Sequence, residues 1–167
     1  MQEISLQFLM LAPEVLGSLL SLKILDDETH LISPNAEWIA EAAFMSESVT
    51  YGIFLGKQPV GLISLIDPRL LDQDDENDHF QGDYLYVWRL MIDKHHRRQG
   101  YGRAAIRFAQ SYAHLIGQKG VSLTTMDKAP LNALPLYESM GFEPTGRRLD
   151  DEVELIWRYS NTLNSGT

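Results

Sequence analysis

The 167-residue chain contains no cysteine. That absence excludes disulfides, a thiolate-bound metal and any cysteine nucleophile, so no reaction here passes through an acyl-cysteine. Basic charge is scarce: 14 Lys and Arg stand against 23 Asp and Glu, a net charge of −9. Nucleic acid is therefore not an expected partner, because affinity for it rests on neutralising phosphates. No Lys or Arg precedes Lys23, and the apolar run Phe8–Ala12 is too short to span a bilayer or to direct export. No membrane association is expected, and the cytoplasm is the expected location. There is no internal repeat, no low-complexity tract and no Walker-type Gly-Lys-Ser/Thr loop. His95 and His96 are adjacent, which points their rings apart, and no His-x-x-x-His occurs, so no metal site is expected.

What is present is a globular composition, 44% hydrophobic and 22% charged. The length suits a single domain over residues 1–160, followed by a frayed tail, Asn161–Thr167. Ile4–Leu9 alternates as a first strand. Pro13 opens a helix to about Leu22, with Leu16, Leu19 and Leu20 as its apolar stripe. Asn35 is the expected N-cap of a second helix with Trp38, Ile39, Ala42 and Ala43 on one face. Val49–Leu55 and Pro59–Ile66 form a hairpin across Gly56-Lys57-Gln58, and Tyr84–Ile92 is a further strand. A helix over 101–114 stops at Gly117 and Gly120, before the strand Val121–Thr125. Asn132 caps a short helix that Gly141 ends, with Pro135 at its third position, where a missing N–H costs little. Phe142–Thr145 and Val153–Tyr159 close the chain as strands around a polar turn, Arg147–Glu152. The order β-α-α-β-β-β-α-β-α-β-β predicts an α/β (α+β) fold with helices layered on a mixed sheet.

Charge is unevenly spread. Residues 67 to 83 carry Asp67, Asp72, Asp74, Asp75, Glu76, Asp78 and Asp83 against Arg69 alone. Residues 94 to 107 carry Lys94, Arg97, Arg98, Arg103 and Arg107 and no acid. The basic stretch contains Arg97-Arg98-Gln99-Gly100-Tyr101-Gly102-Arg103, between a strand and a helix. Strand, glycine loop and helix N-terminus in that order seat a pyrophosphate. Gly100-x-Gly102-x-x-Ala105 formally matches the dinucleotide fingerprint. Three features oppose that reading: seven residues, Asp93 to Gln99, separate strand from glycine; no acid lies about twenty residues on; and a hairpin replaces the repeated strand–helix units.

Arg97-x-x-Gly100-x-Gly102 after Leu90-Met91-Ile92-Asp93 resembles the acetyl-coenzyme A signature of the GCN5-related N-acetyltransferase (GNAT) superfamily. The block from Asn132 through Tyr137 to Gly141-Phe142 resembles that family's second hallmark. Trp88-Arg89-Leu90-Met91-Ile92-Asp93 and Ser33-Pro34-Asn35-Ala36 are similar to its bacterial diamine and spermidine acetyltransferase branch. The resemblance implies a mostly antiparallel sheet in which Tyr84–Ile92 and Val121–Thr125 splay apart to take the pantetheine arm. Main-chain groups of Leu90, Met91 and Ile92 would bind that arm, an N–H near Leu90 facing the thioester oxygen. Arg97, Arg98, Gln99, Gly100, Tyr101, Gly102 and Arg103 would hold the phosphates, and Asn132 and Tyr137 would touch the coenzyme.

By the same resemblance Tyr137 is the catalytic acid that meets the departing thiolate. A thiol pKa of about 8.5 against about 10 for tyrosine makes full transfer uphill by roughly 2 kcal/mol, so a strong hydrogen bond to sulfur describes it better. An amine of lysine-like pKa costs roughly 4.6 kcal/mol to neutralise at pH 7, so a base or water chain is needed. Tyr84, Tyr86, His79 and Glu154 are the candidates, none assigned. The implied reaction is direct attack of a primary amine in a ternary complex, and the acidic loop 72–78 suits a small polyamine-like acceptor. Another amine acceptor (amino sugar, antibiotic or peptide N-terminus) and a non-catalytic coenzyme A-binding sensor stay open as alternatives. An edge strand at Val153–Tyr159 would allow a homodimer.

Overall fold

The structure, a computed structural model, describes residues 5–24, 35–72, 80–128 and 132–160. Most of the acidic loop, His79, Ser33, Pro34 and the tail 161–167 lie outside the described residues. Seven strands form one sheet: β1 (Leu6–Met10), β2 (Ser48–Leu55), β3 (Gln58–Ile66), β4 (Tyr84–Ile92), β5 (Gly120–Met126), β6 (Glu143–Leu149) and β7 (Glu152–Arg158). Among the described residues four α-helices accompany it: α1 (Pro13–Leu19), α2 (Asn35–Phe44), α3 (Tyr101–Leu115) and α4 (Leu134–Ser139). The sheet order is β1-β2-β3-β4-β5-β7-β6, with every neighbour antiparallel except β4 and β5. The expected element order and mixed, mostly antiparallel sheet are borne out. No described helix is long and apolar enough to cross a membrane.

The two faces of the sheet bury different helices. Leu85, Val87, Val121, Leu123 and Leu155 pack with Ala105, Ile106, Ala109 and Ala113 of α3 and with Tyr137. Phe54, Leu62 and Met91 pack on the opposite side with Leu19, Leu22, Trp38 and Ile39. Strand alternation produces both layers from the same chain segments. The Trp38 indole N–H donates to Ser64 Oγ at 2.5 Å, and Ser64 also bonds Thr50 Oγ1 at 2.6 Å, so these three buried groups satisfy one another.

A β-bulge in β4 changes the alternation. Leu65 pairs with Val87 but Ser64 pairs with Arg89, leaving Trp88 as the extra residue. Val87 and Leu90 therefore reach the same α3-side cluster although they stand three positions apart, an odd spacing that plain alternation would send to opposite faces. Tyr86, Arg89 and Met91 fall on the α1/α2 side, where Arg89 Nη2 meets Glu41 Oε2 of α2 at 2.5 Å.

Several expected details change. Helix α1 ends at Leu19 rather than about Leu22. Asn35 is the first helical residue of α2, and its amide donates to Leu22 O at 2.5 Å, tying α2 to the segment after α1 instead of capping. Ala43 is exposed, outside the buried face of Trp38 and Ile39. β6 runs on through polar Glu143–Leu149, and the turn is only Asp150-Asp151, with Asp150 at φ +52°. β7 lies between β5 and β6, so it is no edge: folding the β6–β7 hairpin back puts β6 outermost. The pairing surface expected at Val153–Tyr159 is already used within the chain.

Candidate active site

The parallel pairing of β4 and β5 stops early. It holds from Tyr84↔Gly120 to Val87↔Leu123 and goes no further. Beyond it, β4 continues against β3 alone and β5 against β7 alone. The bulge at Trp88 sits where the strands part, as expected of a device that bends a strand and raises its twist. An open cleft of about 660 Å³ occupies the gap, lined among others by Leu90, Met91, Ile92, Thr124, Tyr137 and Glu152. Each wall presents a strand edge without a sheet neighbour, so a guest in the gap can hydrogen-bond main chain on either side.

At one end the cleft meets the β4–α3 loop. Asp93 leads into a 3-10 turn, Lys94–His96, and Gly100 then precedes α3 at φ +82°. Arg98 is also left-handed, at φ +61°. No described side chain caps α3, which leaves its first N–H groups facing the cleft, where the helix dipole favours an anionic ligand. Arg97, Arg98, Gly100, Tyr101, Gly102 and Arg103 all line the cleft. Arg97 Nε donates to Ile92 O at 2.8 Å and Arg103 Nη2 to Ser139 Oγ at 2.8 Å, which holds both guanidinium groups at the rim. Gln99 differs: it is exposed, and its side chain accepts from the Tyr101 hydroxyl at 3.0 Å.

Asp93 is the anchor of this loop. Its buried carboxylate accepts from the Lys23 N–H at 2.8 Å and the His95 N–H at 3.0 Å, with both Nδ1 atoms of His95 and His96 at 3.2 Å. The Lys94 N–H in turn donates to Lys23 O at 2.7 Å. The end of β4 is thus joined to the segment after α1, seventy residues earlier. Burial alone would push the Asp93 carboxyl up, but these donors outweigh it and hold it below its ordinary value. A depressed carboxyl contributes stability above its unfolded pKa, about 3.9, and that contribution is lost as pH falls through the lower folded value. Asp93→Asn is therefore expected to lose about 1–3 kcal/mol at pH 7. The gap from wild type should narrow in acid denaturation below about pH 4. Chemical unfolding of both proteins across pH 2.5–7 checks it.

Tyr137 enters the cleft from the α3 side of the sheet. Its helix, α4, begins at Leu134, with Pro135 second rather than third. Asn132 stands one residue before the cap position, where its Oδ1 accepts from the Leu134 N–H at 3.0 Å, an Asx-type turn. Tyr137 is 8% exposed, and its hydroxyl makes no hydrogen bond to another described residue. Burial, with a smaller contribution from the Glu152 charge, pushes the hydroxyl up to about 12. It is a donor throughout the neutral range.

Residues 18–142 match the family model described as the acetyltransferase (GNAT) family. The chain belongs to that family. Among its relatives, human N-acetyltransferase 8 is 33% identical over 110 residues, covering 66% of this chain and 39% of the relative. An uncharacterized N-acetyltransferase of Halalkalibacterium halodurans is 31% identical over 115 residues, covering 67% of this chain and 62% of the relative. The matched stretch is thus less than two thirds of either relative's length. Two solved structures share the fold: a PaiA N-acetyltransferase of Thermoplasma acidophilum in complex with coenzyme A (TM-score 0.66, 14% identical, 93% of this chain and 99% of that one), and a spermidine N-acetyltransferase of Vibrio cholerae (TM-score 0.67, 17% identical, 95% and 96%).

Within this GNAT chain, the structure brings together every residue expected at the site except Gln99. The base candidates fare differently. Glu154 is 2% exposed and occupied by Gln81 Nε2 at 3.0 Å, Thr145 Oγ1 at 2.7 Å and Arg147 at 3.5 Å. Tyr84 is buried where β4 and β5 still pair, His79 lies outside the described residues, and Tyr86 bonds Thr124 Oγ1 at 3.0 Å. Thr124 and Glu152 also line the cleft, although the sequence places Thr124 only within a strand and Glu152 in a polar turn. The signal for Glu152 was the alternation Glu152-Val153-Glu154-Leu155, which places both glutamates on the face opposite Leu155.

Proposed function

We propose that this chain transfers the acetyl group of acetyl-coenzyme A to a primary amine, with a small polyamine-like molecule as acceptor, by direct attack in a ternary complex. The observation that carries the reading is the gap between β4 and β5, with the uncapped α3 N-terminus at one end and Tyr137 beneath it. Those residues fit the coenzyme. The free edge of Leu90–Ile92 suits the amides of a pantetheine arm, and the glycine turn with Arg97, Arg98 and Arg103 suits a pyrophosphate. When bound, acetyl-coenzyme A supplies the activated acyl group. The chain's part is to hold the arm as an extra strand, to offer a main-chain N–H near Leu90 to the thioester oxygen, and to keep the Tyr137 hydroxyl protonated beside the sulfur.

The acceptor class rests on the net charge of −9, which favours approach of a cation, and on the Glu152 carboxylate at the cleft. The Vibrio cholerae neighbour is a spermidine N-acetyltransferase, which agrees with that class. Thiol release from acetyl-coenzyme A would be followed across spermidine, spermine, diamines, amino sugars and short peptides. Turnover with polyamines above the other amines is the expected result. Turnover only with amino sugars or peptides would overturn the acceptor class. Coenzyme binding without turnover on any amine would leave a binding module.

A further inference from the structure

Glu152 is the first residue of β7 and stands opposite Met126 of β5, past the point where β4 and β5 separate. Its carboxylate is half-buried and lines the cleft. Among the described residues no cation pairs with it; neighbouring Arg147 and Arg148 are engaged by Glu154 and Asp127. A carboxylate in a cleft with no cation beside it is a seat for a cationic ligand.

Among the described residues, one donor holds this carboxylate in place. Carboxylates only accept, so the short contact with Thr124 Oγ1 is a donation from threonine to Glu152 Oε2. The threonine hydroxyl has one proton, so the 3.0 Å contact with Tyr86 is a donation from tyrosine. The chain Tyr86→Thr124→Glu152 thus runs across the three strands at the mouth of the gap. Burial keeps the Tyr86 hydroxyl protonated, consistent with its place as first donor.

The position of this chain relative to Tyr137 matters most. Val121, Leu123 and Leu155 face α3 together with Tyr137. Alternation therefore sends Thr124, Glu152 and Tyr86 to the other side of the sheet. The gap between β4 and β5 is flanked by Tyr137 on one face and by Glu152 on the opposite face. An acyl group in the gap would release its thiolate toward one and meet an incoming amine from the other.

We infer that Glu152 binds the acceptor's ammonium group and takes its proton, with Thr124 positioning the carboxylate. The inference rests on the acetyl-transfer reading above. Between an ammonium and an amide, nitrogen loses two protons as the C–N bond forms and the C–S bond breaks. Glu152 takes the first and passes it to solvent. The second ends on the departing sulfur, held beside the Tyr137 hydroxyl. The groups around the carboxylate are Thr124 from β5, which donates to it, and the Tyr86 hydroxyl from β4 and the Tyr137 hydroxyl from α4, both of which its charge pushes up.

Glu152→Gln keeps the shape and the bond from Thr124 while removing the charge. With the best amine of the panel, kcat at pH 7 is expected to fall about 100-fold. The deficit should shrink as pH rises toward the amine's own pKa, because bulk base then does the work. Calorimetric binding of spermidine to the coenzyme A-loaded protein should weaken about tenfold, and coenzyme A affinity should stay within twofold. A kcat within twofold of wild type at pH 7 overturns the assignment, as does a loss that is constant across pH. If Glu152→Gln fails to bind coenzyme A, Thr124→Val replaces it as the test: it should lower kcat about tenfold and move the acid limb upward, with Thr124→Ser restoring both. An unmoved acid limb there overturns the inference. Absence of thiol release by wild type with any amine would instead sink the functional reading itself.

Discussion

Tyr137→Phe is expected to lower kcat by 10²-fold or more while coenzyme A affinity and thermal stability stay near wild type. Little stability should be lost because the hydroxyl makes no hydrogen bond to another described residue. The kinetic loss follows from what the hydroxyl does for the departing sulfur. With the tyrosine pushed up to about 12, complete proton transfer to a thiolate of pKa about 8.5 is uphill by roughly 5 kcal/mol, more than the 2 kcal/mol an ordinary tyrosine would imply. Tyr137 then acts as a hydrogen-bond donor to sulfur, and the proton that finally rests there comes from the acceptor nitrogen. A raised tyrosine stays neutral until pH passes its folded value, so it should add no alkaline limb to the rate profile below about pH 10. Stopped-time thiol release across pH 6–10, wild type beside variant, checks both statements. Unchanged turnover would remove Tyr137 from the chemistry.

Gly120→Ala is the substitution expected to damage the fold most. Gly120 sits between Tyr84 on β4 and Arg158 on β7, at the start of the short ladder that holds β4 and β5 together. A Cβ there would lie 1.9 Å from the carbonyl oxygen of Trp157, a backbone atom that moves only if the strand moves. Separating β5 from β7 to admit one methyl should cost about 3 kcal/mol, a fall of roughly 6–12 °C in melting temperature. Gly17→Ala is the control: nothing lies within 4 Å of its added Cβ, and it falls inside α1, so it should stabilise by about 0.5–1 kcal/mol. Differential scanning calorimetry of the two variants separates a steric cost from the general effect of losing a glycine. Equal melting temperatures would contradict the close approach of β5 and β7.

Much of the architecture was legible because its signals are local. Helix α3 carries a strong apolar stripe, and the β2–β3 hairpin turns at Gly56 with positive φ, as its sequence suggests. The polar strand β6 is longer than its sequence suggests because an edge strand buries little, so Arg147 and Arg148 carry no apolar alternation and resemble a turn. For the same reason Glu152 reads as turn although it belongs to the strand beyond Asp150-Asp151. The bulge at Trp88 left no local mark either, since an extra residue in a uniformly apolar run does not disturb its composition.

The sequence by itself determined the order of the elements, the glycine loop with its arginines and the Asn132–Tyr137 block, because each depends on residues adjacent in the chain. Tertiary structure alone decided where the β4–β5 pairing stops, that Asp93 clasps Lys23, and that Tyr137 and Glu152 flank one gap from opposite faces. Those are distances between segments far apart in the chain. They are set by how the sheet twists and packs, and no local pattern of residue types encodes them.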